Sequence, residues 1–242
     1  MAVVADFAAV VADMIKNGMP ATRHPFRRKV LDGKADRIDF AMFAVQTYHR
    51  NLWSSRFAAA NHARCPYPEI RRGLLGVVIE EELRDDGGPS HAELMLRFAE
   101  AVGLPRADVE ASRPLPSTRV FIDTIMNLSQ GHWLEGVSFR ASEIYAPIGS
   151  GAWFKMLQET YGFSADACEW WHTHAVADIE HGNIALDAYG RYAHEENEQR
   201  LALAALERML AAWWVFDDGI LKGAEEARQG ADVGFPIPSD WR

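Results

Sequence analysis

Residues 172–189 read HTHAVADIEHGNIALDAY. A helix turns about 100° per residue, so His174, Asp178 and His181, at i, i+4 and i+7, fall within about 60° of one another. His172 points the other way. The stripe continues through Ala177 and Ala185, with Ile184 beside it, which turns it toward a core. Two imidazoles and a carboxylate placed there need hydrogen-bond partners or a metal. Taken alone, the triplet reads equally well as an exposed polar face, a hydrogen-bonded cluster or a set of ligands.

The same spacing of apolar residues at three and four recurs along nearly the whole chain, and alternating strand patterns with hairpin turns are missing. Helices are expected over 3–18, 36–63, 68–85, 91–103, 117–131, 134–146, 150–160, 164–194 and 196–228, with a short one in HPFRRKVLDG (24–33). The breaks NGMPATRHP (17–25), RCPYP (64–68), DDGGPS (85–90), RPLPS (113–117) and YGFSAD (161–166) carry the turn residues that separate them. The expectation is an all-α, single-domain bundle over 1–228 with about seven core helices, followed by an extended tail over 229–242.

The 242 residues, 48% of them hydrophobic, suit one domain with a substantial core. A formal charge of −9 without any block of Lys or Arg argues against an electrostatic grip on nucleic acid or anionic lipid. MAVVADFAAVVADMIKNG (1–18) has no basic start and is interrupted by Asp6 and Asp13, so it reads as an amphipathic helix rather than a signal peptide. MLAAWWVF (209–216) is far too short to span a bilayer. Cys65 and Cys168 make no disulfide framework, and a reducing, cytoplasmic setting is expected. Neither has an activating partner in sequence, so no catalytic nucleophile is expected.

Two further segments carry carboxylates that could join the stripe. In EEELRDDGGPSHAELM (80–95), Ser90 and Glu93 have capping-box spacing, which puts His91 at the first helical position. The reversal through Asp86, Gly87, Gly88 and Pro89 can then fold His91 back toward Glu81. Helical phase does not choose among Glu80, Glu81 and Glu82, and Asp85 and Asp86 are expected to cap or solvate the turn. In RASEIYAPIG (140–149), Glu143 lies among apolar neighbours near a helix end expected at Pro147. Glu81, His91, Glu143, His174, Asp178 and His181 make three carboxylates and three imidazoles. Two divalent cations would nearly neutralise such a set, and this donor chemistry suits iron or manganese better than zinc.

For a substrate, His49, Trp53 and Arg56 share one helix face in QTYHRNLWSSRF (46–57), a stripe that serves equally well as core. Arg140 stands i, i+3 from Glu143 and can hold a substrate carboxylate or bridge to that Glu. Glu180 and His194 read as surface residues and His132 as structural.

At this point the chain resembles the TenA/PqqC family, whose members share the heme-oxygenase-like helical bundle. HPFRRKVLDGK, EIRRGLLGVVIEEELRDDGG, ELMLRFAEAVGL, LPSTRVFIDTIMNLSQGHWLEGVSFRASEIYAP and ADIEHGNIAL carry the likeness over most of the chain. The departures are informative. The PqqC-type enzymes oxidise their substrate without metal and have a His, a Gly and a Gln where this chain has Glu81, His91 and His174. Those three potential ligands match a different branch, the heme-oxygenase-like diiron oxidases, whose pattern is a Glu, a His, a second Glu and His-x3-Asp-x2-His.

The resemblance implies that Glu81, His91, Glu143, His174, Asp178 and His181 hold two Fe(II) ions. One site would combine Glu81, His91 and a His of the long helix, and the other the remainder, with Glu143 as a bridge. It also implies an O2-dependent nonheme diiron oxidase acting on a small carboxylate-bearing metabolite of the amino-acid or fatty-acid class. Arg56 or Arg140 would hold the carboxylate, an external electron donor could take part, and a homodimer is the expected assembly. A TenA thiaminase would need a pocket Cys, and a heme oxygenase an early axial His, where His24 more readily caps or packs. The members that consume their own tyrosines to make p-aminobenzoate carry them where Arg27 and Ser142 stand here. A metal-independent PqqC-like oxidase and a non-catalytic metabolite-binding protein remain the alternatives.

Overall fold

The axis of the molecule is a 28-residue helix, Arg37–Arg64 (α3), buried on almost every side over its first half. It starts at a reciprocal cap in which Asp36 and Asp39 each accept the other's backbone N–H. A computed structural model describes residues 3–83 and 87–241, and all of their side chains except those of 146–148 and 176–180. Asp85 and Asp86, and the side chains of Asp178 and Glu180, therefore lie outside the described residues. Among the described residues there are twelve α-helices and no strand, and the chain forms one helical domain.

Around α3 pack Pro68–Glu82 (α4), His91–Val102 (α5), Pro116–Gln130 (α7) and the 33-residue Glu196–Arg228 (α12). The long helix Glu169–Tyr192 (α11) lies against α4, α5, Phe7–Gly18 (α1), Ser138–Ser142 (α9) and Ala146–Glu159 (α10). Three short helices complete the set: Pro25–Leu31 (α2), Arg106–Glu110 (α6) and Trp133–Gly136 (α8). None of the helices among the described residues is long and apolar enough to cross a membrane.

Several boundaries differ from the sequence expectation for local reasons. The N-terminal helix begins at Phe7 because the Asp6 side chain caps it through Ala9 N–H. The helix expected over 134–146 is broken into α8, α9 and a 3₁₀ turn at Glu143–Tyr145. Pro147 lies in the first turn of α10 and begins that helix rather than ending the one before. It has no N–H to bond the carbonyl four residues earlier, so the chain tightens there, and Glu143 stands at that junction. Beyond α12, residues 229–238 run without regular structure to a 3₁₀ turn at Ser239–Trp241. Val233, Phe235 and Ile237 are buried in the common core.

Candidate metal centre

Four separate segments bring carboxylates and imidazoles to one place: the end of α4, the start of α5, the 3₁₀ turn after α9, and the middle of α11. Ser90 caps α5 through the Glu93 N–H and so sets His91 in its first turn. The reciprocal half of the box is replaced, because the Glu93 carboxylate is held by both Nη atoms of Arg106 at 2.7 and 2.8 Å. Asn51 of α3 donates to the His91 carbonyl at 3.1 Å and pins this turn against the central helix. Gly182 lets α11 approach the 3₁₀ turn, since a Cβ there would come within 2.8 Å of the Ile144 backbone nitrogen.

The side chains form two adjoining groups. In the first, His91 Nδ1 stands 2.8 Å from Glu81 Oε2 and the His91 ring centre 4.4 Å from that of His174. In the second, His181 Nε2 stands 2.9 Å from Glu80 Oε2 and its Nδ1 3.6 Å from Glu143 Oε2. Arg140 joins them, 2.8 Å from Glu143 and 3.9 Å from Glu81. Glu81, His91, His174, His181 and Arg140 are all buried. Asp178, one turn from both His174 and His181 on α11, has its side chain outside the described residues. Among the described residues, no three His, Cys, Asp or Glu side chains close around a single point.

Hydrogen bonds settle which nitrogen each ring of α11 presents. His174 Nδ1 lies 2.7 Å from the Trp170 carbonyl, which can only accept, so Nδ1 carries a proton and Nε2 is the nitrogen that could ligate. His181 Nε2 faces the Glu80 carboxylate in the same way, which leaves Nδ1 as the nitrogen turned toward Glu143. Glu80 is held below the usual carboxylate range, chiefly by the His181 hydrogen bond and against the effect of burial. For Glu81, burial opposes ionisation. The charge and hydrogen bond of His91, with Arg140 and His174 behind them, outweigh it and hold the carboxyl at about 2.

Glu81, Glu143 and His174 also line a cavity. Its remaining walls include the aromatic rings of Phe43, Phe139, Trp153, Trp170, Trp171 and Trp213, and its polar residues include Arg27, Arg50, Ser54 and Ser142. Trp170 stacks on His174 with ring centres 3.8 Å apart, so one indole belongs to both the cavity and the centre.

The residues expected to bind substrate are distributed differently. His49 bonds Ser112 Oγ at 2.8 Å, and the exposed Arg56 lies over the Trp53 ring at 4.9 Å. None of these three lines the cavity, whose α3 wall is Phe43, Arg50 and Ser54. Arg140 is engaged by the two carboxylates. Sequence reasoning missed Glu80 as the second partner of His181, and it missed Arg50 and the tryptophans. The i, i+4 spacing of Trp170 and His174, and of Arg50 and Ser54, is the signal that could have found them.

The bland readings have definite partners. His24 caps α2, with Nδ1 accepting the Phe26 N–H at 3.1 Å and Nε2 donating to Asp218 at 3.0 Å. His132 caps α8 and His172 packs near Phe154. Cys65 and Cys168 are buried, and burial pushes both thiols up, Cys168 to about 11, so neither is primed as a nucleophile.

The all-helical architecture is that of the heme-oxygenase-like fold. A protein of unknown function with that fold from Shewanella denitrificans superposes with a TM-score of 0.77 at 21% identity, over 95% of this chain and 96% of that one. A TenA homolog from Pseudomonas syringae superposes with a TM-score of 0.71 at 13% identity, over 89% and 93%. Residues 41–214 match the family described as iron-containing redox enzymes, and the chain belongs to that family, within the TenA/PqqC group. Its relatives include a pyrroloquinoline-quinone synthase from Acinetobacter baumannii, 28% identical over 80% of this chain and 78% of that protein. A 4-aminobenzoate synthase from Nitrosomonas europaea is 26% identical over 86% and 88%.

Proposed function

We propose that this protein is an O2-dependent nonheme diiron oxidase acting on a small carboxylate-bearing metabolite, with electrons drawn from an external donor. Glu81, His91, Glu143, His174, Asp178 and His181 would hold the two irons. The observation that carries the reading is the orientation of the two α11 imidazoles. Each has one nitrogen committed as a donor, His174 to a backbone carbonyl and His181 to a carboxylate. A metal among the buried carboxylates would therefore be met by the other nitrogen of each ring, the arrangement characteristic of metal-binding histidines. The oxygen and nitrogen donor set, without thiolate, suits iron.

Bound Fe(II) would supply the electrons that reduce O2. The chain's own residues do the rest. Trp170 O and Glu80 keep the two rings in the ligating tautomer, and Arg140 orients Glu143 and Glu81 from behind. The indole and phenyl walls keep water from the reacting end of the cavity. Arg27 and Ser142 line this cavity at the positions where self-sacrificing relatives carry tyrosines, so the oxidised group would come from a separate substrate.

One observation favours a second reading, a metal-independent oxidase of the PqqC kind. Arg140 already gives both carboxylates a positive partner. Anaerobic Fe(II) titration followed by O2-uptake measurement separates the two. The diiron reading expects about two irons per chain, uptake abolished in Glu81→Ala and His174→Ala, and O2 consumption that requires the iron. Absence of binding at about millimolar Fe(II), with chelator-insensitive O2 consumption, would return the protein to the metal-free reading.

A further inference from the structure

Helix α4 has two interior glycines three residues apart, and contacts within the chain account for only one of them. A Cβ at Gly73 would come within 2.9 Å of Ile184 on α11, so the packing of α4 against α11 requires that glycine. A Cβ at Gly76 would meet nothing within 4 Å. After proline, glycine is the least favoured residue in a helix interior, and at Gly76 no close approach inside the molecule compensates for it.

Gly76 lies on a face that the fold leaves uncovered. Beside it Leu75, Ile79 and Leu83, 49%, 40% and 67% exposed, follow one another at four-residue steps along one side of the helix and its C-cap. Helix α3 extends the same face. Residues 65–67 join α3 and α4 into an antiparallel hairpin, and Ser55 donates to Glu82 Oε1 at 2.6 Å, which fixes how the two helices face each other. Counting about 100° per residue from that contact, the exposed Leu52, Ala59 and Ala63 of α3 fall on the same side of the hairpin as the α4 ladder. Among the described residues every exposed Leu or Ile lies on this hairpin, the other large exposed apolar side chains being valines. An apolar face concentrated in this way marks a surface that another molecule covers.

We propose that this face joins two copies of the chain, with α4 packed antiparallel on the same helix of the second copy about a two-fold axis level with Val77. That axis sets Leu75 opposite Ile79 of the partner subunit, and Arg72 opposite Glu82 of the partner subunit, each pair occurring twice. Arg72 and Glu82 are exposed and stand toward the two ends of the ladder. Antiparallel packing therefore matches opposite charges, whereas parallel packing would set each charge against its own kind. A face that complements itself selects a second copy over an unrelated protein. Gly76, beside the axis, lets the two backbones approach to about 8 Å between helix axes, the close end for packed helices. The reading is independent of the oxidase chemistry.

Sedimentation equilibrium on the full chain tests it, and a dimer is expected at about 100 µM. Ile79→Glu should leave a monomer with an unaltered helical circular dichroism spectrum. Gly76→Ala favours the helix, so it serves if Ile79→Glu does not fold, and it should weaken the dimer at least about tenfold. Arg72→Glu should weaken it by a similar factor, and Glu82→Arg added to the same chain should recover most of that loss. A chain that is monomeric at about 100 µM overturns the proposal. So does a dimer that Ile79→Glu leaves intact, or a double exchange that is no tighter than Arg72→Glu alone.

Discussion

His24 and His174 are both buried histidines with a hydrogen bond at Nδ1, yet the two bonds run in opposite directions. At the corner between α2 and α12, His24 Nδ1 accepts the Phe26 N–H and Nε2 donates to Asp218. Both nitrogens are spent on holding the fold. Next to it, Arg27 and Asp217 form a two-armed pair, so the whole corner is matched internally. In the centre between α4, α5 and α11, His174 Nδ1 donates to a carbonyl, so Nε2 is the nitrogen that could ligate. His181 repeats the arrangement through Glu80. What separates a structural histidine from a candidate ligand here is the direction of the first hydrogen bond, because that fixes what the second nitrogen can do.

The corner is where stability should be lost most. Asp217→Ala leaves the Arg27 charge without its buried partner and should cost about 3 kcal/mol or more in urea unfolding. A loss below about 1 kcal/mol would show the pair to be solvated like a surface bridge. His24→Ala removes an N-cap and should cost about 1 kcal/mol, with Fe(II) uptake the same as in the unaltered chain. Iron binding lost in His24→Ala would erase the distinction between the two histidines.

A third effect depends on pH and belongs to His49, where burial first, and Arg119 second, lower the imidazole from its ordinary 6.5 to about 4. The folded state favours the neutral ring, so His49 contributes stability that is complete above pH 6.5 and is lost as pH falls toward 4. His49→Gln should therefore flatten the dependence of the urea midpoint on pH across that window. Parallel curves for the two proteins would mean that His49 titrates normally in the fold.

Much of this was legible before any coordinates. The helical class followed from a repeat of three and four sustained over most of the chain, since amphipathic helices must bury one stripe. His91 followed from Ser90, because a capping side chain determines where a helix starts. The breakage of the 134–146 helix was only half legible. Pro147 announced an interruption, but a proline opens a helix as readily as it ends one.

The sequence by itself determined the helices, the turn that returns His91 toward α4, and the ladder of ligand-type residues along α11, all of which depend on local spacing and local hydrogen bonds. Only the tertiary structure decided which of Glu80, Glu81 and Glu82 faces which partner. Consecutive helical residues differ by about 100°, and the assignment to His181, His91 and Ser55 depends on where three other helices lie. It also decided that Arg50 rather than Arg56 meets the cavity. A helix buried on most of its circumference, as α3 is, has no single apolar stripe from which the direction of its polar residues can be read.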